Sequence, residues 1–483
     1  MTALALSACV VLALSALMLA RALAAGAPPP AGTLDPGALD TWAGAENRLS
    51  ALVRIPTVSR FDPADEDASA FSRFTSELSM LYPLAHGRLL AANAGDRAIV
   101  LEWPGSDGSL APVILTAHFD VVPPGERSRW DRDPFGGAVE NGYVHGRGTQ
   151  DIKITLCAAM EAAERLLADG FVPKRTIFLA FGGDEEVGGV RGAARIADYL
   201  AGRGIKASFL LDEGGFVADG FLGFADRPLA LVGISEKGYM DVALEADGAG
   251  GHASMPPRHT AAGVVSKAVA AIEARPFKGV VSYTLAGFLR ALVPYSPFIY
   301  RLLFGNLWLT APLVKRALAR SPETNALVRT TAAATMLSGS DKENVLPDKA
   351  RAVLNVRILP GSSVSEALGR LERLARRAGA RAILAHDGHV NDPLPESPVD
   401  HEGFAAISRA IADSHPEAGT IPFMFTAGTD TKHYRNVAQA LYRFAPIRQD
   451  RADLAGVHGA NERISVDNVR RACLFYCSLM RGL

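Results

Sequence analysis

Cysteine is scarce in this chain, and neither sign of charge prevails. Four cysteines among 483 residues, Cys9, Cys157, Cys473 and Cys477, are too few and too scattered for a disulfide framework. Cys473 and Cys477 stand four apart in a helix-like stretch, where buried free thiols are the simpler reading. The 50 basic and 51 acidic residues leave a formal net charge of -1, so no global field attracts nucleic acid or an anionic membrane. No H-E-x-x-H helix, G-x-S-x-G elbow or P-loop occurs, and Gly146 to Asp151 lacks the third glycine of a dinucleotide fingerprint. Substrate and partners therefore have to be argued from particular residues.

Hydrophobic residues make up 48% and charged residues 21%, a globular composition, and at this length two domains are expected. From Thr2 to Ala20 the chain carries no charge and is close to the length of a membrane-spanning helix. Small residues at Ala22, Ala24 and Ala25 suit signal cleavage, but the basic segment that precedes a signal's apolar core is missing. An anchor and a cleaved signal both stay open, with the anchor preferred. Either implies membrane attachment or export. Gly26 to Pro36 reads as a linker into the folded part.

Apolar residues recur at helical spacing over Leu39–Arg54 and Phe71–Tyr82. Short apolar runs at Ala98–Trp103, Val113–Ala117, Thr176–Gly182 and Ser208–Leu211 read as buried strands, alternating with helices at Ile152–Gly170 and Val190–Leu200. That alternation predicts a mostly parallel sheet flanked by helices. From Tyr239 the texture changes to a half-exposed strand, a helix at Thr260–Ala274, strands at Thr330–Leu337 and Arg351–Ile358, a helix at Val364–Ala378 and a strand at Ala380–Ala385. This strand-helix-strand-strand-helix-strand order predicts a smaller α+β, ferredoxin-like domain inserted into the larger one. Between Phe277 and Arg329 lies an unusually apolar stretch, broken by Pro294, Pro297, Gly305 and Pro312, so that no piece of it can span a bilayer. It reads as helices packed on the inserted domain or on a second subunit, or as a surface for an acyl chain or the membrane interface.

Chemistry concentrates at strand ends. His118 and Asp120 follow one apolar strand, Asp184-Glu185-Glu186 another, and Asp212-Glu213 a third, while glycines deliver Asp151 to the start of a helix. Singly, each has an ordinary reading as a strand-end histidine, an N-cap or a solvated loop. Three consecutive carboxylates beside a buried strand repel one another and call for a compensating cation. A histidine among several carboxylates suits zinc, and one carboxylate shared between two ions makes a dinuclear site.

Taken in order, Thr116-Ala117-His118-Phe119-Asp120-Val121-Val122-Pro123, Gly146 to Asp151, Asp184-Glu185-Glu186, Leu211-Asp212-Glu213-Gly214, Gly251-His252-Ala253-Ser254 and Gly428-Thr429-Asp430-Thr431-Lys432-His433-Tyr434 resemble the aminoacylase and carboxypeptidase family of di-zinc hydrolases. The likeness is to its carboxypeptidase-S-like and N-fatty-acyl-amino-acid hydrolase branch, and it spans about Leu39 to the C-terminus. It implies two zinc ions per subunit, with His118 and Asp212 holding one, Glu186 and His458 the other, and Asp151 bridging. Asp120 would orient His118, and Glu185 would be the general base. His433 is the rival to His458, otherwise helping to shape the substrate pocket with Gly428. His252 would steady the oxyanion, often across a dimer, with Asn344 beside it. Arg357 would grip the substrate carboxylate.

The chain thus reads as residues 1–36, an anchor or signal and linker; 37–234 and 391–483, two parts of an α/β catalytic domain; and 235–390, an inserted lid and dimerisation domain. The expected partners are a small N-acyl amino acid or peptide, cut beside a free carboxylate, and a second copy of the chain. The apolar stretch favours the N-acyl amino acid, and the reaction could run in reverse. A non-catalytic binding protein on the same scaffold would have lost ligands or base, and here all are present.

Overall fold

The computed structural model describes residues 2–24, 26–220, 223, 225–385 and 390–483. Strands Val113–His118, Ile177–Gly182 and Ala207–Asp212 are buried along their whole length, as strands covered on both faces must be. Among the described residues the larger sheet runs Leu90–Ala92, Ala98–Trp103, Ile177–Gly182, Val113–His118, Ala207–Asp212, Ala438–Arg443, Leu229–Glu236, Val217–Ala218, Arg448–Gln449, with Gly419–Phe425 also paired to Leu229–Glu236. Its centre is parallel. Leu115, Phe181 and Leu211 face helices Ile154–Ala168 and Val466–Arg481. Ile114, Phe178 and Leu210 face helix Ala193–Gly202 on the other side. The parallel strands that end at His118, Gly182 and Asp212 therefore open onto one edge, where such sheets place their sites.

The second sheet is antiparallel, in the order Thr331–Ser338, Lys349–Ile358, Gly238–Asp247, Arg381–Leu384. Helices Ala261–Glu273 and Val364–Ala378 cover one of its faces through Val265, Leu371 and Leu374 against Val242, Leu244 and Val356. The expected strand-helix-strand-strand-helix-strand order is met. Helix Val364–Ala378 starts on a Ser363–Glu366 capping box and stops at Gly379 with φ 93°.

The apolar stretch packs differently from the expectation that placed it on the inserted domain or a second subunit. It forms helices Tyr283–Ala291, Phe298–Phe304, Leu307–Leu318 and Pro322–Val328. Leu285, Phe288, Leu289 and Leu292, one helical stripe, cover Leu229, Leu231, Ile421 and Met424 of the larger sheet. The cause is strand Gly419–Phe425, which extends the sheet and leaves an apolar flank that the two-domain core does not reach.

Helix Thr2–Ala24 contains Ala5–Ala24, whose mean hydropathy is 2.1 and of which only 6% is buried. It is long and apolar enough to cross a membrane, as an anchor or as a signal sequence. Leu289 is fully buried and Leu313 is 60% exposed. Leu289→Ala is expected to cost about 2–5 kcal/mol in denaturant unfolding, whereas Leu313→Ala stays within about 0.5 kcal/mol. Equal effects would mean that the apolar stretch is not core.

Candidate active site

Asp120 is fully buried and builds the first part of the site. Its main-chain carbonyl accepts from His118 Nδ1 at 3.0 Å. Its carboxylate accepts from Ser59 Oγ at 2.6 Å, Glu185 N at 3.0 Å and Glu186 N at 3.2 Å. With Nδ1 donating, Nε2 of His118 is the nitrogen that faces the acids. It stands 3.1 Å from Asp151 Oδ1 and 3.4 Å from Glu213 Oε1.

Asp151 is delivered by a loop that a distant residue holds. Glu462 Oε2 accepts from Gly148 N at 3.0 Å and Arg147 Nη1 at 2.6 Å, and Oε1 accepts from Gln150 N at 2.8 Å and Asp151 N at 3.3 Å. The second histidine, His458, places Nε2 2.9 Å from Asp151 Oδ2 and 3.2 Å from Glu186 Oε1. Two donor groups result, His118–Asp151–Glu213 and Asp151–Glu186–His458, and Asp151 belongs to both.

Four of the five expected ligands are thus brought together, and Asp212 is not. Asp212 ends its strand with Oδ2 buried and without a hydrogen-bond partner, outside both groups. Glu213, the first residue past the strand, is the one whose carboxylate joins the first group. His433 also lies apart, with Nε2 donating to Gly188 O at 2.9 Å. It braces the loop after Glu186, where Gly189 has φ 72° and a Cβ would stand 2.1 Å from Asp430 Oδ1.

Arg357 stacks on Tyr239 at 4.5 Å, and its Nη1 is 3.9 Å from where a Cβ on Gly428 would stand. A glycine there leaves the guanidinium approachable. Glu236 ties this loop down, accepting from Thr429 N, Thr429 Oγ1, Thr431 Oγ1 and Arg443 Nε. Burial and Arg357 push the neighbouring Lys237 ammonium down to about 7. His252 and Asn344 lie side by side, as expected, through Ala253 N donating to Asn344 O at 2.9 Å. Both are exposed on the small domain, and among the described residues no hydrogen bond or ion pair joins them to the cluster.

Burial, with Glu213 close by, holds the Glu185 carboxyl well above its usual range. Burial also lifts Glu213, to about 8. Hydrogen bonds to Asp151 and Glu186 push His458 up to about 10. Burial alone would depress His118, yet Glu213, Asp120 and Asp151 outweigh it and raise the imidazole well above 6.5. Both imidazoles are thus pulled towards the charged state, so the cluster is organised around positive charge. Carboxylate oxygens and imidazole nitrogens converging in two groups fit a pair of divalent ions.

The model of peptidase family M20/M25/M40 matches residues 114–482. The chain belongs to that family. The N-fatty-acyl-amino acid synthase/hydrolase PM20D1 of Mus musculus is 36% identical over 433 residues, covering 88% of this chain and 85% of the relative. Carboxypeptidase S of Saccharomyces cerevisiae is 31% identical over 479 residues, covering 89% and 82%. The M20 metallo-carboxypeptidase Sso-CP2 of Sulfolobus solfataricus shares the fold at a TM-score of 0.68 and 17% identity, covering 91% of this chain and 98% of that one. Membership bears out the resemblance and makes the protein a metal-dependent hydrolase.

Sequence reading missed Glu462 as the anchor of the Asp151 loop, although it stands four residues after His458. It is fully buried and paired with Arg147, which is 2% exposed. Glu462→Ala strands that guanidinium and is expected to cost about 3–5 kcal/mol in equilibrium unfolding. A loss below about 1 kcal/mol would remove Glu462 from the scaffold of the site.

Proposed function

We propose that this M20 hydrolase cleaves the amide bond of N-acyl amino acids beside their free carboxylate, with fatty-acyl groups as the acyl part, and forms the same bond when run in reverse. The carrying observation is the pair of donor groups sharing Asp151, with Glu185 next to Glu186, in a chain so similar over most of its length to an N-fatty-acyl-amino acid synthase/hydrolase. His118 and Glu213 would hold one zinc ion and Glu186 and His458 the other, with Asp151 between them. Two such ions, when bound, supply the positive charge that acidifies a water and polarises the scissile carbonyl.

The chain's own residues do the rest. Asp120 fixes both the His118 ring and the backbone of Glu185 and Glu186, so base and ligands keep one spacing. Glu185 takes the proton from the attacking water and delivers it to the leaving nitrogen. Arg357, open over Gly428, pairs with the substrate carboxylate and sets which amide reaches the centre. His252 and Asn344, exposed together on the small domain, serve the oxyanion of the partner subunit in a homodimer. The Ala5–Ala24 helix keeps the protein at a membrane.

The similarity to carboxypeptidase S favours a second reading, removal of the C-terminal residue from small peptides. Side-by-side assays with N-oleoyl-phenylalanine and a blocked dipeptide separate the two, and release of phenylalanine is expected to be faster from the oleoyl compound. Turnover of the dipeptide alone would select the carboxypeptidase. Glu185→Gln is expected to lose roughly 100- to 10,000-fold in kcat while keeping its metal. Full activity in that variant would remove Glu185 as the base.

Metal content tests the ligand exchange. Glu213→Gln is expected to retain less zinc per chain after dialysis than Asp212→Asn, which keeps the parental amount. The opposite order would restore Asp212 as the ligand.

A further inference from the structure

The helices between residues 283 and 328 have a buried inner face and an outer one that stays largely exposed among the described residues. On helix Leu307–Leu318 the inner positions are Leu307, Thr310 and Val314. Its outer positions begin with Trp308, Leu309, Pro312 and Leu313, and the first, second and last of these are 50%, 46% and 60% exposed. The stripe runs on to Arg316 one turn later. The adjoining helix Phe298–Phe304 adds Phe298 at 51% and Ile299 at 56%. Large apolar side chains on neighbouring helices, bordered by charge, mark an interaction surface rather than the scatter of single residues on a soluble face.

The occupant is indicated by what stands beside this surface. The apolar N-terminal helix packs against Phe298–Phe304. Asn306 Nδ2 donates to the main-chain carbonyl of Met18 at 3.1 Å, and Arg301 Nη1 to that of Gly26 at 3.2 Å. Ala22 is 1% exposed there, although only 6% of Ala5–Ala24 is buried. A segment able to cross a bilayer therefore ends against the exposed apolar helices. Charge points the same way. Residues 277–329 carry seven lysines and arginines and one acidic residue, Glu323, a local excess of six positive charges in a chain whose net charge is -1. Lys315, Arg316 and Arg320 stand on or just after helix Leu307–Leu318, and an apolar face that carries basic side chains suits the interface of an anionic bilayer.

We propose that the outer face of helices Phe298–Phe304 and Leu307–Leu318 lies in the headgroup region of an anionic membrane, as a second, in-plane contact beside the anchor. The proposal rests on Ala5–Ala24 being retained as an anchor. The body of the enzyme is then held at a fixed tilt on the surface instead of swinging on the 26–36 linker. Leu309 and Leu313 reach towards the acyl chains, and Arg316 and its basic neighbours pair with phosphates.

Trp308 is a built-in reporter, because Trp42, Trp103 and Trp130 are only 5%, 4% and 7% exposed. The full chain is placed at one copy per nanodisc in an equal mixture of phosphatidylcholine and phosphatidylglycerol whose acyl chains are brominated near the headgroup. The expected result is bromine quenching of tryptophan emission that disappears in Trp308→Phe, with Trp308 shielded from iodide. Leu309→Glu with Leu313→Glu should abolish the quenching while the chain stays in the disc and keeps its activity on a soluble substrate. A chain that enters the disc with Trp308 open to iodide and unquenched overturns the proposal alone. A chain that fails to enter the disc overturns the anchor and the proposal together. Protection seen only in discs with two copies assigns the face to self-association and also overturns it.

Discussion

The carboxylate of Asp120 joins pieces of chain that arrive separately. It lies two residues past the end of strand Val113–His118, takes the hydroxyl of Ser59 and receives the N–H groups of Glu185 and Glu186 from the end of strand Ile177–Gly182. Those two strands are hydrogen-bonded neighbours, with His118 opposite Gly182. A fully buried carboxylate tolerates its surroundings only if its lone pairs are met, and here hydroxyl and backbone donors meet them. The carboxylate is therefore fixed in place behind a histidine whose free nitrogen faces two more acids, Asp151 and Glu213. Such an arrangement is poor packing for an apolar core and good packing for cations.

The same reasoning explains which parts of the site were legible in the sequence. Strand ends after unbroken apolar runs identify an edge, and the acids and histidine beyond them identify its chemistry. His118, Asp151, Glu185 and Glu186 could be read in this way because each follows a glycine turn or an apolar strand directly. Asp212 and Glu213 could not be told apart by position, because a one-residue uncertainty in where the strand stops exchanges them, and the choice of Asp212 came from the resemblance. Asp212 is placed by Ala438–Arg443, a strand that pairs Arg443 with it and whose short apolar core, Ala440 to Tyr442, is too brief to be recognised alone. His458 and Glu462 come from a loop with no periodicity at all. His458 even adopts φ 58°, a left-handed conformation that nothing in its residue type announces.

Fold order was more readable than fold contact. The alternation that defines the small domain survives in the structure element by element, because each strand and helix of that domain buries its own apolar face locally. The apolar stretch at 277–329 shows the limit of that logic. Its helical stripes are visible, but part of the surface they cover is formed by Gly419–Phe425, which begins ninety residues after the stretch ends. Periodicity reports that a face is buried and is silent on the partner.

The crossing between the two sheets then has a chemical consequence. Glu236 is the last residue of a strand in the larger sheet, and Gly238 the first of a strand in the smaller one, paired with Ile358 beside Arg357. Only Lys237 lies between. Glu236 holds Thr429 and Thr431, and so the loop that begins at Gly428 under the Arg357 guanidinium. It also pairs with fully buried Arg443, whose strand partner is Asp212. A rotation of the small domain about this crossing would thus have to move Arg357 against a loop anchored in the large one. On the proposed reading, in which Arg357 takes the substrate carboxylate, its distance from the donor groups around Asp151 would be set by one buried carboxylate and the short crossing Glu236–Gly238, a stiff ruler suited to a substrate whose carboxylate and scissile amide are separated by a single carbon.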